Sequence, residues 1–196
     1  MKGFVVGLSG GIDSALTSTL CARTGLEVLT LEMPIHQHPD QASRGQEHQA
    51  WLSANFPNTR HLEVDLTPVY DHFVTAMQPG GADNELSLAN SRARLRMSTL
   101  YYHGQANGLL VAGTGNKVED FGVGFYSKYG DGGVDLSPIA DLMKTEVFAL
   151  AHHLGVVSSI LDAKPTDGLW GDDRTDEDQL GASYPELEWA LSLIHI

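Results

Sequence analysis

A chain of 196 residues with 42% hydrophobic content can bury one sizeable core, and the short connections between its periodic segments point to a single domain, 1–196. The net charge of −13 weighs against the extended cationic surface that tRNA or DNA binding requires, and no apolar run is long enough to span a membrane. A lone cysteine, Cys21, excludes an intrachain disulfide and fits a reducing cytoplasm; inside a helical run it reads as a buried apolar filler.

The first predicted strand, Gly3 to Gly7, is too short and too directly continued to be a signal peptide. It runs through Leu8 into Ser9-Gly10-Gly11-Ile12-Asp13-Ser14 and then a helix over Ile12 to Arg23. Glycines 7, 10 and 11 allow a tight turn and close approach to a ligand, and the helix offers free N–H groups to an anion. The loop therefore reads as a phosphate cradle. It lacks the Gly-Lys-Ser/Thr of a Walker-type loop, however, and holds Asp13-Ser14 in its place. An acidic residue facing phosphate calls for a bridging metal.

Further strands are predicted near Glu27 to Met33, His61 to Asp65 and Leu109 to Gly113, with a fifth near Val134 to Ile139. Helices fit between and after them at Gln41 to Asn55, Pro68 to Met77, Leu88 to Gln105 and Lys144 to Leu154, with Gly25, Gly108 and Gly155 as stop signals. This alternation predicts an α/β fold, a doubly wound Rossmann-like parallel sheet of about five strands with helices on both faces. A nucleotide would lie at the switch point beside the first strand. Pro79 to Glu85, Glu119 to Gly133 and Pro165 to Pro185 read as loops, since all are rich in Gly, Asp and Pro.

Eight of the twelve basic residues lie between Arg92 and Arg174, so the second half is where an acidic chain concentrates cations for an anionic ligand. On the helix carrying Asn90-Ser91-Arg92-Ala93-Arg94-Leu95-Arg96-Met97, the arginines cannot all serve one pocket at about 100° per residue. Arg94 borders the packed face and is the best placed to reach a ligand, while Arg92 and Arg96 read as solvated. The strand end Gly113-Thr114-Gly115-Asn116-Lys117-Val118-Glu119 would sit near the first loop. There Thr114 can meet a nucleotide and Glu119 can join Asp13 on Mg²⁺, though the same residues also make an ordinary polar turn.

Ser-Gly-Gly-Ile-Asp-Ser resembles the loop of the N-type ATP pyrophosphatases, and further blocks narrow the resemblance. The Asn90 to Met97 helix, Gly113 to Glu119, Gly124-Phe125-Tyr126-Ser127-Lys128-Tyr129-Gly130-Asp131-Gly132-Gly133-Val134-Asp135, Pro138 to Thr145, Pro165 to Trp170 and Thr175 to Gly181 are similar, in order, to the NAD synthetase family. The resemblance implies an adenine nucleotide alpha hydrolase-like fold and a ligase of two steps. ATP adenylates deamido-NAD with release of pyrophosphate, and ammonia then gives NAD and AMP. It also implies that Gly7, Leu8, Ser9, Gly10, Gly11, Ile12, Asp13 and Ser14, with Thr114, Lys144 and Thr166, contact ATP; that Asp13 and Glu119 bind Mg²⁺; and that Arg94, Lys128 and Asp135 bind deamido-NAD. No side chain is assigned as an acid or base.

Without an amidase domain or a suitable cysteine, free ammonia is the expected donor unless a separate subunit supplies it. Family members usually carry a helix before the first strand and continue beyond the helix near Pro185 to Ala190. The chain is therefore expected to be trimmed at both ends, with Leu191 to Ile196 as an unmatched tail. A homodimer is implied, with the dinucleotide site near its interface. The other readings are a GMP synthetase-like or tRNA-modifying pyrophosphatase and a non-catalytic nucleotide-binding fragment.

Overall fold

The computed structural model describes residues 1–37, 39–77, 84–166 and 175–193. Among them, β1 (Gly3–Leu8), β2 (Glu27–Glu32), β3 (Thr59–Glu63) and β4 (Leu109–Val111) form a parallel sheet in the order β3-β2-β1-β4. Parallel strands buried on both faces need apolar residues at successive positions, and β1 supplies them. Val5 packs with Leu29, Leu31 and Val111 toward one face, and Phe4 and Val6 pack with Val28 toward the other.

The helices are α1 (Ile12–Arg23), α2 (Pro39–Asn55), α3 (Thr67–Met77), α4 (Glu85–Asn107), α5 (Lys144–His153), α6 (Ser158–Leu161), α7 (Asp176–Leu180) and α8 (Tyr184–Leu193). Residues of α3 and α4 cover the Val5 face; α1, α5 and α6 share a second cluster that includes Leu16, Val147 and Ile160. Gly25, Gly108 and Gly155 do follow α1, α4 and α5, at φ 75°, 72° and 76°. Cys21 is buried beside Phe4 and Val6, and burial pushes its thiol up to about 12. From β1 the chain steps outward to β2 and β3, then returns through the long α4 to lay β4 on the other side of β1. The switch point thus lies between β1 and β4, whose carboxyl ends open side by side.

Three expectations are corrected. The fifth strand shrinks to one parallel bridge, Ala112 to Leu136. There the Asp135 carboxylate accepts the Val111 N–H at 2.9 Å, so a side chain takes a bond that a ladder would use, and Pro138 follows with no N–H to donate. The predicted loop from Glu119 opens as a π-helical turn, Lys117–Val123, begun by Asn116. The predicted Pro165 to Pro185 loop contains α7 and the start of α8, each with reciprocal or side-chain capping. Thr175 and Asp178 bond each other's backbone at 2.8 and 3.2 Å, and Glu186 accepts the Ser183 N–H at 2.9 Å. Residues 79–83, 167–174 and 194–196 of the predicted loops and tail lie outside the described residues, while Leu191 to Leu193 complete α8.

Between α1 and α2, His48 is 1% exposed, and its Nε2 pairs with Ser18 Oγ at 3.0 Å. Burial lowers its pKa to about 4 from an ordinary 6.5. Between those values the unfolded chain takes up a proton that the folded chain refuses, so His48 costs stability as the pH falls from 6.5 toward 4. His48→Gln should flatten the pH dependence of the urea midpoint across that window. An unchanged slope would show that His48 does not set it.

Candidate active site

The carboxyl ends of β1 and β4 open into a cavity of about 540 Å³, and every residue from Gly7 to Ser14 lines it. Gly10 turns the loop at φ 79°, a region that favours glycine. Ser9 N donates to Ser14 Oγ at 3.2 Å and Gly11 N donates to Ser9 Oγ at 3.2 Å, so the two hydroxyls occupy loop amides. Gly11, the N-cap of α1, contributes no side-chain cap, and the helix start faces the cavity through Ile12 and Asp13. This is the arrangement that lets backbone donors and the helix dipole meet an anion.

Against that loop lies a buried ion triad. Lys144 Nζ donates to Asp13 Oδ2 at 2.6 Å and to Glu119 Oε1 at 2.8 Å, and the lysine side chain is 2% exposed. Lys144 begins α5, a poor place for a cation because the helix dipole opposes it; the two carboxylates reverse that preference. Burial works to lower the lysine pKa, but Asp13 and Glu119 outweigh it and hold it above its ordinary value. Burial also raises the Asp13 carboxyl against the pull of Lys144. At Glu119 the charge of Lys144 and hydrogen bonds from Lys144 and Tyr184 overcome burial and leave the carboxyl below its usual range.

Three side chains that sequence reasoning passed over complete this centre. Asn116, fully buried, donates to Asp13 Oδ1 at 3.1 Å, and its own carbonyl oxygen accepts the Val118 and Glu119 N–H groups at 3.0 Å each. Its spacing of three from Glu119, at the end of a strand, was the available signal for a helix-starting cap. Tyr184 of α8 donates its hydroxyl to Glu119 Oε1 and places its ring 5.0 Å from Lys144 Nζ. Asp120 lines the cavity beside Glu119; burial, then the charges of Asp131, Glu119 and Asp13, push it up to about 7.

Thr114 and Thr166 also line the cavity, whereas Lys144, 2% exposed, is not among its described lining residues. Arg94, Lys128 and Asp135 are not brought to its described lining. Arg94 Nε donates to the Lys128 carbonyl at 3.2 Å, Lys128 Nζ lies 5.1 Å from the Tyr129 ring, and Asp135 receives the Tyr101 hydroxyl at 3.1 Å besides Val111 N. The solvated reading of Arg96 is corrected. Arg96 lines the cavity, donates to the Met33 carbonyl at 3.0 Å and to Gln37 Oε1 at 3.3 Å, and is lowered to about 10 by burial and by Arg92. Arg92 covers the Tyr70 ring at 5.0 Å rather than open solvent. Arg44 of α2, absent from the sequence reading, reaches the loop and donates from Nε to the Gly10 carbonyl at 3.3 Å.

A parallel sheet with a switch-point cavity, floored by a Ser-Gly-Gly-x-Asp-Ser loop without a Walker lysine, defines a nucleotide-binding α/β protein of the ATP pyrophosphatase kind. The sequence model of NAD synthase matches residues 1–196, and the chain belongs to that family. It is 41% identical over 189 residues to an NH(3)-dependent NAD(+) synthetase of Finegoldia magna, covering 96% of this chain and 75% of that one. Among solved structures, the NMN synthetase from Francisella tularensis superposes with a TM-score of 0.90 at 35% identity, covering 97% of this chain and 77% of that one. The NH3-dependent NAD synthetase from Campylobacter jejuni gives 0.73 at 34% identity, over 82% of this chain and 67% of that one.

Removing the lysine alone would leave two largely buried carboxylates without a counter-charge. Lys144→Met should lower the unfolding free energy by about 3–5 kcal/mol, read by urea denaturation. A loss below roughly 1 kcal/mol would show that the triad is not buried in solution.

Proposed function

We propose that this chain is an ammonia-dependent NAD synthetase, a ligase that adenylates deamido-NAD with ATP and amidates the product. The observation that carries the reading is that Asp13 and Glu119 line one cavity with the Gly7 to Ser14 loop and are held together by the buried Lys144. In the first step a carboxylate oxygen of the nicotinate attacks the α-phosphorus, the bond to the bridging oxygen breaks, and pyrophosphate leaves. In the second, ammonia adds to the acyl carbon, AMP departs, and the nitrogen loses a proton. A carboxylate is already nucleophilic, so the chain's contribution is positioning and charge stabilisation. The loop from Gly7 to Ser14 would orient the phosphates, Ser9 and Ser14 exchanging their loop contacts for phosphate oxygens. Thr114 and Thr166 would bind ATP from the facing wall, and Lys144 would balance charge at the loop.

The donor set fits Mg²⁺. Two carboxylates already share one cation, and hard oxygen donors suit a hard ion. Asp13 and Glu119 would hold it, and when bound it supplies Lewis-acid stabilisation to the leaving pyrophosphate. Arg94, Lys128 and Asp135 would bind deamido-NAD on the outer side of α4, where a second copy of the chain would complete the site in a homodimer. The chain would act as one domain in the cytoplasm; among the described residues no helix is long and apolar enough to cross a membrane.

The superposition on an NMN synthetase favours one second reading, in which the acceptor is the mononucleotide. Incubation with ATP, Mg²⁺ and ammonium should yield NAD from deamido-NAD faster than NMN from nicotinate mononucleotide. The reverse order selects the second reading, and no amide from either acceptor contradicts both. Asp13→Asn should reduce amide formation by at least about a hundredfold, the scale of losing one charge-stabilising group in an active site. Near wild-type turnover would remove Asp13 from the metal site.

A further inference from the structure

The loop has no lysine, and the nearest one is already paired. Asp13, Glu119 and Lys144 sum to a net charge of −1 if the lysine is counted against both carboxylates. Asp131 adds another acidic side chain to the cavity wall. With Asp120 and Asp176 also on the described lining, a triphosphate entering here meets five acidic side chains against the three basic ones, Arg44, Arg96 and Lys164. Besides a metal held by Asp13 and Glu119, a cation of the chain outside the triad can offset this excess.

We propose that Arg44 is that cation, holding the β- and γ-phosphoryl end of ATP and then the departing pyrophosphate. The assignment rests on the reading of this cavity as the ATP site. Arg44 stands on α2, lines the cavity, and is tied by Nε to the carbonyl of Gly10, the residue at which the phosphate loop turns. A guanidinium fixed on the loop presents a planar fork that matches two phosphate oxygens. The other two cations on the wall sit elsewhere. Arg96 is engaged at the carboxyl end of β2 by the Met33 carbonyl and Gln37, and Lys164 enters from the segment after α6. Arg44 alone among these three bonds the loop backbone in the described residues.

Titration calorimetry with ATP, pyrophosphate and AMP in Mg²⁺ separates this role from a structural one. Arg44→Ala should weaken ATP and pyrophosphate about tenfold while AMP stays within about twofold, because AMP lacks the phosphates that Arg44 holds. Arg44→Lys, which keeps the charge and loses the fork, should fall between. Unchanged affinity for ATP and pyrophosphate, or an equal loss for AMP, would overturn the assignment. If the wild-type chain binds ATP and Arg44→Ala matches it, only the role of Arg44 fails; if the wild-type chain binds neither ATP nor pyrophosphate, the ATP-site reading fails with it.

Discussion

One buried ammonium holds this centre together. Lys144 joins Asp13 at the start of α1 to Glu119 in the π-helical turn, and its own helix α5 to both. Tyr184 brings α8 onto the same point. Four segments spread from residue 13 to residue 184 therefore meet at one cation. Burying three ionised groups costs desolvation that their attraction only partly offsets, so a triad of this kind is a poor device for stability alone. Its value lies in position: it fixes two carboxylates, with hard oxygens, beside the Ser9 to Ser14 turn. Asn116 adds a second constraint by bonding Asp13 with one end of its amide and starting the Glu119 turn with the other.

The sheet places these groups. Because α4 carries the chain back across β1, the loops after β1 and β4 emerge side by side, and Asp13 and Glu119 follow those two strands. The same crossover explains why α4 shapes the cavity as well as the core. Ala93, Met97 and Leu100 line the cavity while Leu88 and Leu95 pack on the Val5 face. Asp135 ends the sheet on this side by accepting the Val111 N–H, which ties the predicted substrate residue to the fold itself.

What was legible in the residues was local. Apolar runs marked β1, β2 and β4, β3 lay two residues from its expected start, and the glycines after α1, α4 and α5 marked real helix ends. The turn from β1 into α1 through Ser9 to Ser14 was legible because its residues are contiguous. The pairing of Asp13 with Lys144 spans 131 positions, and charge alone does not say which acid a lysine will meet. Arg96 was misjudged because a helical wheel tells which residues share a face but not what covers that face; here the end of β2 covers it. Helix α7 was hidden by a Gly-, Asp- and Pro-rich composition, although Thr175 with Asp178 carries a capping spacing, while α8 contains the helix expected near Pro185 to Ala190. Arg44 left no trace in the sequence, since only the packing of α2 brings it to Gly10.

On the proposed function, this cavity activates a carboxylate by adenylation before any nitrogen arrives. Exchange of labelled pyrophosphate into ATP, followed with deamido-NAD and Mg²⁺ in the absence of ammonia, tests that order directly. Exchange should occur and should depend on the acceptor. Amide synthesis without any such exchange, in a preparation from which pyrophosphate dissociates freely, would contradict it.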